Sequence, residues 1–192
     1  MGGDEQAMKR ARSRAGPLDA AHLEELALTY VARFATSAAK LERYLARKVR
    51  ERGWEGEREP PIAVLIERYV ALGYVDDALF ARARANALLR RGYGPRRIGQ
   101  ALAEAGIDEE ARETVRPSEA AERRAALALA RKRRFGPFGP EHEQQPVDRE
   151  RREKQLAAML RAGHRLDTAR EIVDAASGEA AECWAAELDE EA

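Results

Sequence analysis

Three glycines set the frame of this chain. Gly53, Gly106 and Gly163 each close a stretch that reads as an amphipathic helix, and glycine is the residue that most readily takes a left-handed conformation at a helix C-terminus. Ahead of the first two, small or apolar residues recur at every fourth position: Ser37, Leu41, Leu45 and Val49 before Gly53, and Gly94, Ile98 and Leu102 before Gly106. Around the third, the segment LRAGHRLDTAREIV parallels LAEAGIDEEARETV, the two ending on Val173 and Val115. A four-residue spacing puts side chains on one helical stripe. The pattern predicts three copies of one helical unit, each burying little core alone and gaining stability from its neighbours. The predicted fold class is therefore all-α, an elongated, curved array of three tandem three-helix repeats. Their expected ranges are 21–75, 76–116 and 117–176, with a disordered basic arm at 1–20 and an acidic tail at 177–192.

Composition supports helices: Ala, Leu, Arg and Glu dominate, while the chain holds eight Val, five Ile and four Thr. A charged fraction of 35% argues for several small cores under a large wet surface. Net charge is zero, yet the eight acids from Glu171 to Ala192 face no Lys or Arg there, which leaves the rest of the chain with a surplus of eight basic groups. A basic body with an acidic tail fits a polyanion or an acidic protein face as partner, or charges that merely solvate helices. The single Cys183 allows no internal disulfide. No apolar run approaches a membrane span and the N-terminus lacks the apolar core of a signal peptide. The expected location is cytoplasmic, without membrane association.

The predicted elements follow local signals. A first helix runs from about Leu23 to Phe34 with Leu23, Leu26, Ala27, Tyr30 and Phe34 inward. A second, Ala38 to Arg52, is capped by Thr36 or Ser37. A third spans Ile62 to Leu72 and stops at Gly73. Asp76 or Asp77 caps a fourth, about Ala78 to Arg91. Gly92-Tyr93-Gly94-Pro95 turns the chain into a fifth, with Ile98, Ala101, Leu102 and Ala105 inward. Asp108 caps a short sixth helix, Ser118 precedes a seventh at Glu119 to Arg133, and the segment 135–147 is a loop. An eighth helix covers about Asp148 to Ala162 with Leu156, Met159 and Leu160 inward, and Asp167 caps a ninth through Ala175. In the tail, Cys183, Trp184 and Leu188 supply a face on which it could dock as a helix.

One stretch matches a known pattern. Leu72-Gly73-Tyr74-Val75-Asp76-Asp77, then Phe80-Ala81, then Arg91-Gly92-Tyr93-Gly94-Pro95-Arg96-Arg97-Ile98, with Leu102 and Gly106-Ile107, resembles the signature of the RecX regulatory family. RFGPFGP and the helix ending LAAMLRAGHRLDTAREIV are similar to that family's third unit. The resemblance implies an array of three-helix repeats. It implies a regulator that binds the RecA recombinase filament and modulates, most often inhibits, its ATPase, strand-exchange and coprotease activities in DNA repair and recombination. The implied protein is a monomer without cofactor, contacting the filament and single- or double-stranded DNA.

The residues agree with binding rather than catalysis. His22, His142 and His164 lack the spacing of a metal site, Gly92-x-Gly94 is too short for a phosphate loop, and no nucleophile-base set stands out. The expectation is no enzyme and no metal. Candidate partner-binding residues form three basic groups. Lys40, Arg43, Arg47 and Arg50 fall on one side of the second helix. Arg82, Arg84, Arg90, Arg91, Arg96 and Arg97 lie in a stretch with no acid between Asp77 and Glu104. Arg131, Lys132, Arg133 and Arg134 end the seventh helix. Arg82 and Arg90 share a face while Arg84 and Arg91 point elsewhere, so only part of the set can meet one partner. Taken without the resemblance, basic three-helix units suggest a helix-turn-helix-like DNA reader acting without RecA.

Overall fold

The computed structural model describes residues 16–139 and 148–189. The arm before Gly16, part of the predicted loop including His142, and the last three residues lie outside that range. Ten helices are described: α1 (Ala20–Arg33), α2 (Ala38–Arg52), α3 (Ile62–Ala71), α4 (Asp77–Arg90), α5 (Pro95–Glu104), α6 (Glu109–Thr114), α7 (Glu119–Arg133), α8 (Arg149–Arg161), α9 (Leu166–Val173) and α10 (Gly178–Ala186). Single 3-10 turns cover Gly136–Phe138 and Glu187–Asp189. No strand occurs among the described residues, so the chain is all-α. It divides into two compact units, the first ending at Phe80 and the second beginning at Ala81.

The first unit packs α1, α2 and α3 around Leu23, Ala27, Leu41, Leu45, Leu65, Tyr69 and Val75. Leu18, placed in the arm by its sequence, is fully buried in this core. Its amide donates to the Gly53 carbonyl and its carbonyl accepts from Glu55, both at 3.0 Å. That short main-chain bridge also places Trp54 against the core. Phe34 departs from its expected inward position and is 56% exposed. The helix ends one residue earlier, and Phe34 takes an extended backbone (φ −135°), which breaks the 100° register of the stripe.

Two adjacent aspartates cap two different helices. Asp76 Oδ1 accepts from the Leu79 amide at 2.8 Å and so starts α4. Asp77 Oδ1 accepts from the Ala38 amide at 2.8 Å, satisfying an orphan donor at the start of α2, 39 positions away in sequence. Ser37 Oγ takes the Lys40 amide at 3.3 Å, so the α2 N-terminus has two acceptors.

Five helices stop in the same way. After α3, α4, α5 and α8 the residue at C′ is Gly73, Gly92, Gly106 or Gly163, all with φ between 73° and 94°. The following amide reaches five residues back: Tyr74 to Tyr69, Tyr93 to Leu88, Ile107 to Leu102 and His164 to Met159. This is the Schellman arrangement, which satisfies the last carbonyls of a helix. After α7 the same bonds form, Phe135 to Ala130 and Arg134 to Arg131, but the left-handed position is held by Arg134 (φ 56°).

In the second unit the turn between α4 and α5 is gripped from two sides. A Cβ on Gly92 would lie 3.0 Å from the Leu129 amide and side chain on α7. A Cβ on Gly94 would lie 2.4 Å from the Gly163 carbonyl carbon. The Gly94 amide donates to the Ala162 carbonyl at 2.9 Å, and the Arg96 amide to the Gly163 carbonyl at 3.2 Å. The end of α8 thus supplies acceptors to the start of α5, main chain against main chain. His164 is fully buried beside this contact, with Nε2 3.0 Å from the Gly92 carbonyl. In the tautomer that donates there, Nδ1 faces the core without a partner. Burial pulls the imidazole below its ordinary pKa, and the Gly92 carbonyl opposes this in part.

The remaining core joins α7, α8 and α9 through Ala126, Leu129, Ala130, Met159, Ala169, Ile172 and Val173. Two expectations on these helices are corrected. Leu160 is 37% exposed. Gln155 is the buried residue instead, because its Oε1 accepts the Gly136 amide at 2.9 Å. Asp167 does not cap α9: it sits one position inside the helix and pairs with Arg165 at 2.8 Å. The acidic tail forms α10, which packs on α7 through Ala181, Trp184 and Ala185, whereas Cys183 is exposed.

Two outcomes follow for stability. Gly94 has an ordinary φ of −82° and fails only by collision, whereas Gly73 has φ 73° in open space and fails only by strain. Gly73→Ala should cost about 1 kcal/mol in urea unfolding. Gly94→Ala should cost several times more, about 3 kcal/mol or above, because backbone must move. The buried His164 predicts a second effect. Its folded pKa lies below 6.5, so the unfolded chain takes up the proton first as pH falls. The stabilisation is complete above about pH 6.5 and lost below it, by at most about 1.4 kcal/mol per pH unit. Thermal melting from pH 7.5 to 5 should show this loss, and His164→Leu should remove that component of the pH slope.

Candidate partner-binding surface

The predicted basic residues divide by what already neutralises them. On α2, Lys40 Nζ sits 5.1 Å from the Phe80 ring centre. Arg47 pairs with Glu51 at 3.6 Å and lies 5.7 Å from the Tyr44 ring. Arg43 and Arg50 are exposed. Phe80 and Tyr44 thus back two cations of this helix from its own unit.

The central group is different. Arg82, Arg84, Arg90, Arg91, Arg96 and Arg97 are all exposed, and among the described residues none of them pairs with a carboxylate. The cause is sequential: helical ion pairs form three or four residues apart, and no acid lies within that reach. Arg91 alone makes a ring contact, 5.5 Å from Tyr93. Arg96 and Arg97 occupy the first turn of α5, where the helix dipole disfavours cations, so local helix stability does not explain their presence.

The group at the end of α7 is partly covered. Arg131 pairs with Glu182 of α10 and lies 5.7 Å from the Phe138 ring. Arg123 is held more firmly. It bonds Glu119 at 2.7 Å, Glu187 at 3.1 Å and the Trp184 carbonyl at 3.0 Å, with its guanidinium 4.4 Å from the Trp184 ring. The carboxylates raise its pKa against the opposing effect of burial. Lys132, Arg133 and Arg134 are exposed, with no ion pair among the described residues. Dipole and charge agree here, since cations stabilise a helix C-terminus. Sequence reasoning placed this patch but missed that α10 removes Arg131 from it; the repeated acids of the tail were the available signal.

Two clefts in the second unit contrast in charge. A cavity of about 430 Å³ opens over Ile98, Leu102 and Val115. Three of its four arginines are compensated, with Arg96 the exception: Arg112 pairs with Glu109, Arg116 with Glu113 at 3.3 Å, and Arg165 with Asp167 at 2.8 Å. Burial raises the Glu122 carboxyl on its wall, against the pull of Arg116 and Arg165. A smaller cavity, about 120 Å³, lies between the Gly92–Gly94 turn and the end of α7 and has no acid in its lining. Among the described residues no cluster of His, Cys, Asp and Glu could hold a metal, and no helix is long and apolar enough to cross a membrane.

Fold and surface together define a class: tandem three-helix repeats whose middle repeat presents exposed arginines. Comparison with known proteins sharpens this. The family model for the second three-helix domain of RecX matches residues 76–115. The regulatory protein RecX of Myxococcus xanthus (strain DK1622) is 32% identical over 182 residues, spanning 90% of this chain and 95% of the relative. That of Thermus thermophilus is 36% identical over 109 residues, spanning 57% of this chain and 70% of its own. The chain belongs to the RecX family of regulatory proteins. The crystal structure of RecX from Lactobacillus salivarius superposes with a TM-score of 0.63 at 18% identity, covering 81% of this chain and 95% of that one. A second RecX crystal structure gives 0.61 at 18% identity over 89% and 77%. These two likenesses speak to the fold.

Arg134 tests the balance between fold and surface. Its left-handed backbone costs a side-chain-bearing residue about 1 kcal/mol relative to glycine. Arg134→Gly should therefore raise the unfolding free energy by about 0.5–1 kcal/mol in denaturant titration, although it deletes a charge from the basic end of α7.

Proposed function

We propose that this protein binds the filament of the RecA recombinase and restrains its ATPase, strand-exchange and coprotease activities. The observation that carries the reading is the acid-free arginine group Arg82–Arg97. It lies in the segment matched by the RecX family model, and carboxylates leave it unpaired among the described residues. Exposed cations with no internal partner are suited to the anionic surfaces of a nucleoprotein assembly. In this reading the repeats at 21–75, 76–116 and 117–176 are docking modules. The contacts come from Arg82, Arg84, Arg90, Arg96 and Arg97, aided by Arg43 and Arg50 on α2 and by Lys132–Arg134. Arg131 serves the fold through Glu182. The protein works by occupancy as a cytoplasmic monomer, without cofactor or catalytic step.

The test is single-strand-dependent ATP hydrolysis by RecA with the purified protein added below stoichiometry. Hydrolysis should fall, and Arg96→Ala/Arg97→Ala should weaken the effect about tenfold or more if both arginines make charge-assisted contacts. Unchanged hydrolysis at every ratio would sink the proposal. Equal retention on naked duplex and on RecA filaments at matched salt would favour a DNA reader acting alone.

A further inference from the structure

The small cavity beside the Gly92–Gly94 turn brings one member of the central arginine group together with cations from the end of α7. Arg91 approaches it from the second repeat, and Lys132 and Arg133 from the third. Tyr93, Phe135 and Leu129 line it as well. Three cationic residues therefore line a concave space of about 120 Å³ that has no carboxylate in its lining. The larger cleft differs: Glu109, Glu113 and Glu122 are in its lining, and Arg112, Arg116 and Arg165 there are paired with acids. Mutual repulsion of three like charges is unfavourable unless an anion offsets it.

The backbone at this rim carries a second sign. Arg134 sits next to the lining residues Arg133 and Phe135 and holds the left-handed position that glycine fills after α3, α4, α5 and α8. Strain kept at a residue where glycine would relieve it marks a place where the side chain has a use. The pocket is also well positioned: Gly92 lies against Leu129 and Gly94 against Gly163, so the repeats bearing the cations are fixed to each other by main-chain contact.

We propose that this pocket binds a phosphate group, and that its natural source is the phosphodiester backbone of a nucleic-acid strand. The volume is that of a phosphate with part of its sugar rather than of a whole nucleotide. Arginine offers a planar fork to phosphate oxygens and lysine a point charge. Tyr93 and Phe135 give an adjacent sugar or base an apolar face, the pairing of cation and aromatic that single strands use. This inference concerns a phosphate site on the chain itself and does not require the RecA reading.

Fluorescence anisotropy with a labelled oligothymidylate and the full-length protein tests it, in the absence of RecA, across a salt series. Lys132→Gln/Arg133→Gln should weaken binding about tenfold and reduce the slope of log affinity against log salt by about 0.7 for each phosphate that is no longer neutralised. The charge-matched control Arg149→Gln/Lys154→Gln, on exposed positions of α8, should leave both nearly unchanged. Unshifted melting temperatures confirm that both variants are folded. Equal losses in the two variants, or none in either, would overturn the site. A mononucleotide that competes with the strand at equal phosphate concentration would reassign the pocket to free nucleotide and overturn the strand as its source. If the pocket variant loses strand binding yet wild-type protein leaves RecA hydrolysis untouched, the phosphate site stands and the filament reading fails.

Discussion

The second unit depends on a contact between two stretches of bare main chain. The end of α8 presents the carbonyls of Ala162 and Gly163, and the start of α5 presents the amides of Gly94 and Arg96. Carbonyls at a helix C-terminus and amides at a helix N-terminus are the groups a helix cannot satisfy internally. Here each end completes the other. The opposed helix dipoles reinforce the bonds, since the negative end of one helix meets the positive end of the next. The arrangement needs the two backbones closer than any Cβ permits, which is why glycine stands on both sides. His164 then seals the site: its Nε2 donates to the Gly92 carbonyl, and its position in the core excludes water from the bonds beside it.

The first unit solves the same problem with side chains. Asp77 reaches back to the Ala38 amide and so ties the start of α4 to the start of α2, while its neighbour Asp76 serves α4 itself. One dipeptide thus performs a local and a long-range task. Each carboxylate accepts an amide at a helix N-terminus, one of the donors a helix cannot satisfy internally. The arginines that follow are left without acids as a by-product: the two aspartates nearest to them are already committed to backbone.

Much of this was legible beforehand. The glycine stops, the four-residue stripes and the hydroxyl caps at Ser37 and Ser118 are local chemistry, so α2 and α7 fall at their expected bounds. What escaped is non-local. Leu18 lies in a polar, aperiodic stretch, and only the pairing with Gly53 and Glu55 brings it into the core. Gln155 is buried for the sake of one amide in a distant turn, and its polarity gave no hint of that. Asp77 reads as an ordinary cap, because nothing near it announces the amide it serves. For the candidate surface, the cationic positions were visible as residues, but their availability was not. Arg131 and Lys132 are neighbours in sequence, yet one pairs with the tail helix and the other is exposed.

The glycine contact bears on how such a chain can change over time. Hydrogen bonds between main-chain groups are blind to the side chains around them. A junction held this way demands identity at very few positions and leaves the flanking helices to drift, provided their inward faces remain apolar. That is a physical route by which repeat arrangements persist between proteins sharing 18% of their residues. It also means that surface charge can be rewritten freely on either side of the joint, so a lineage can retune what it binds while its scaffold stays put.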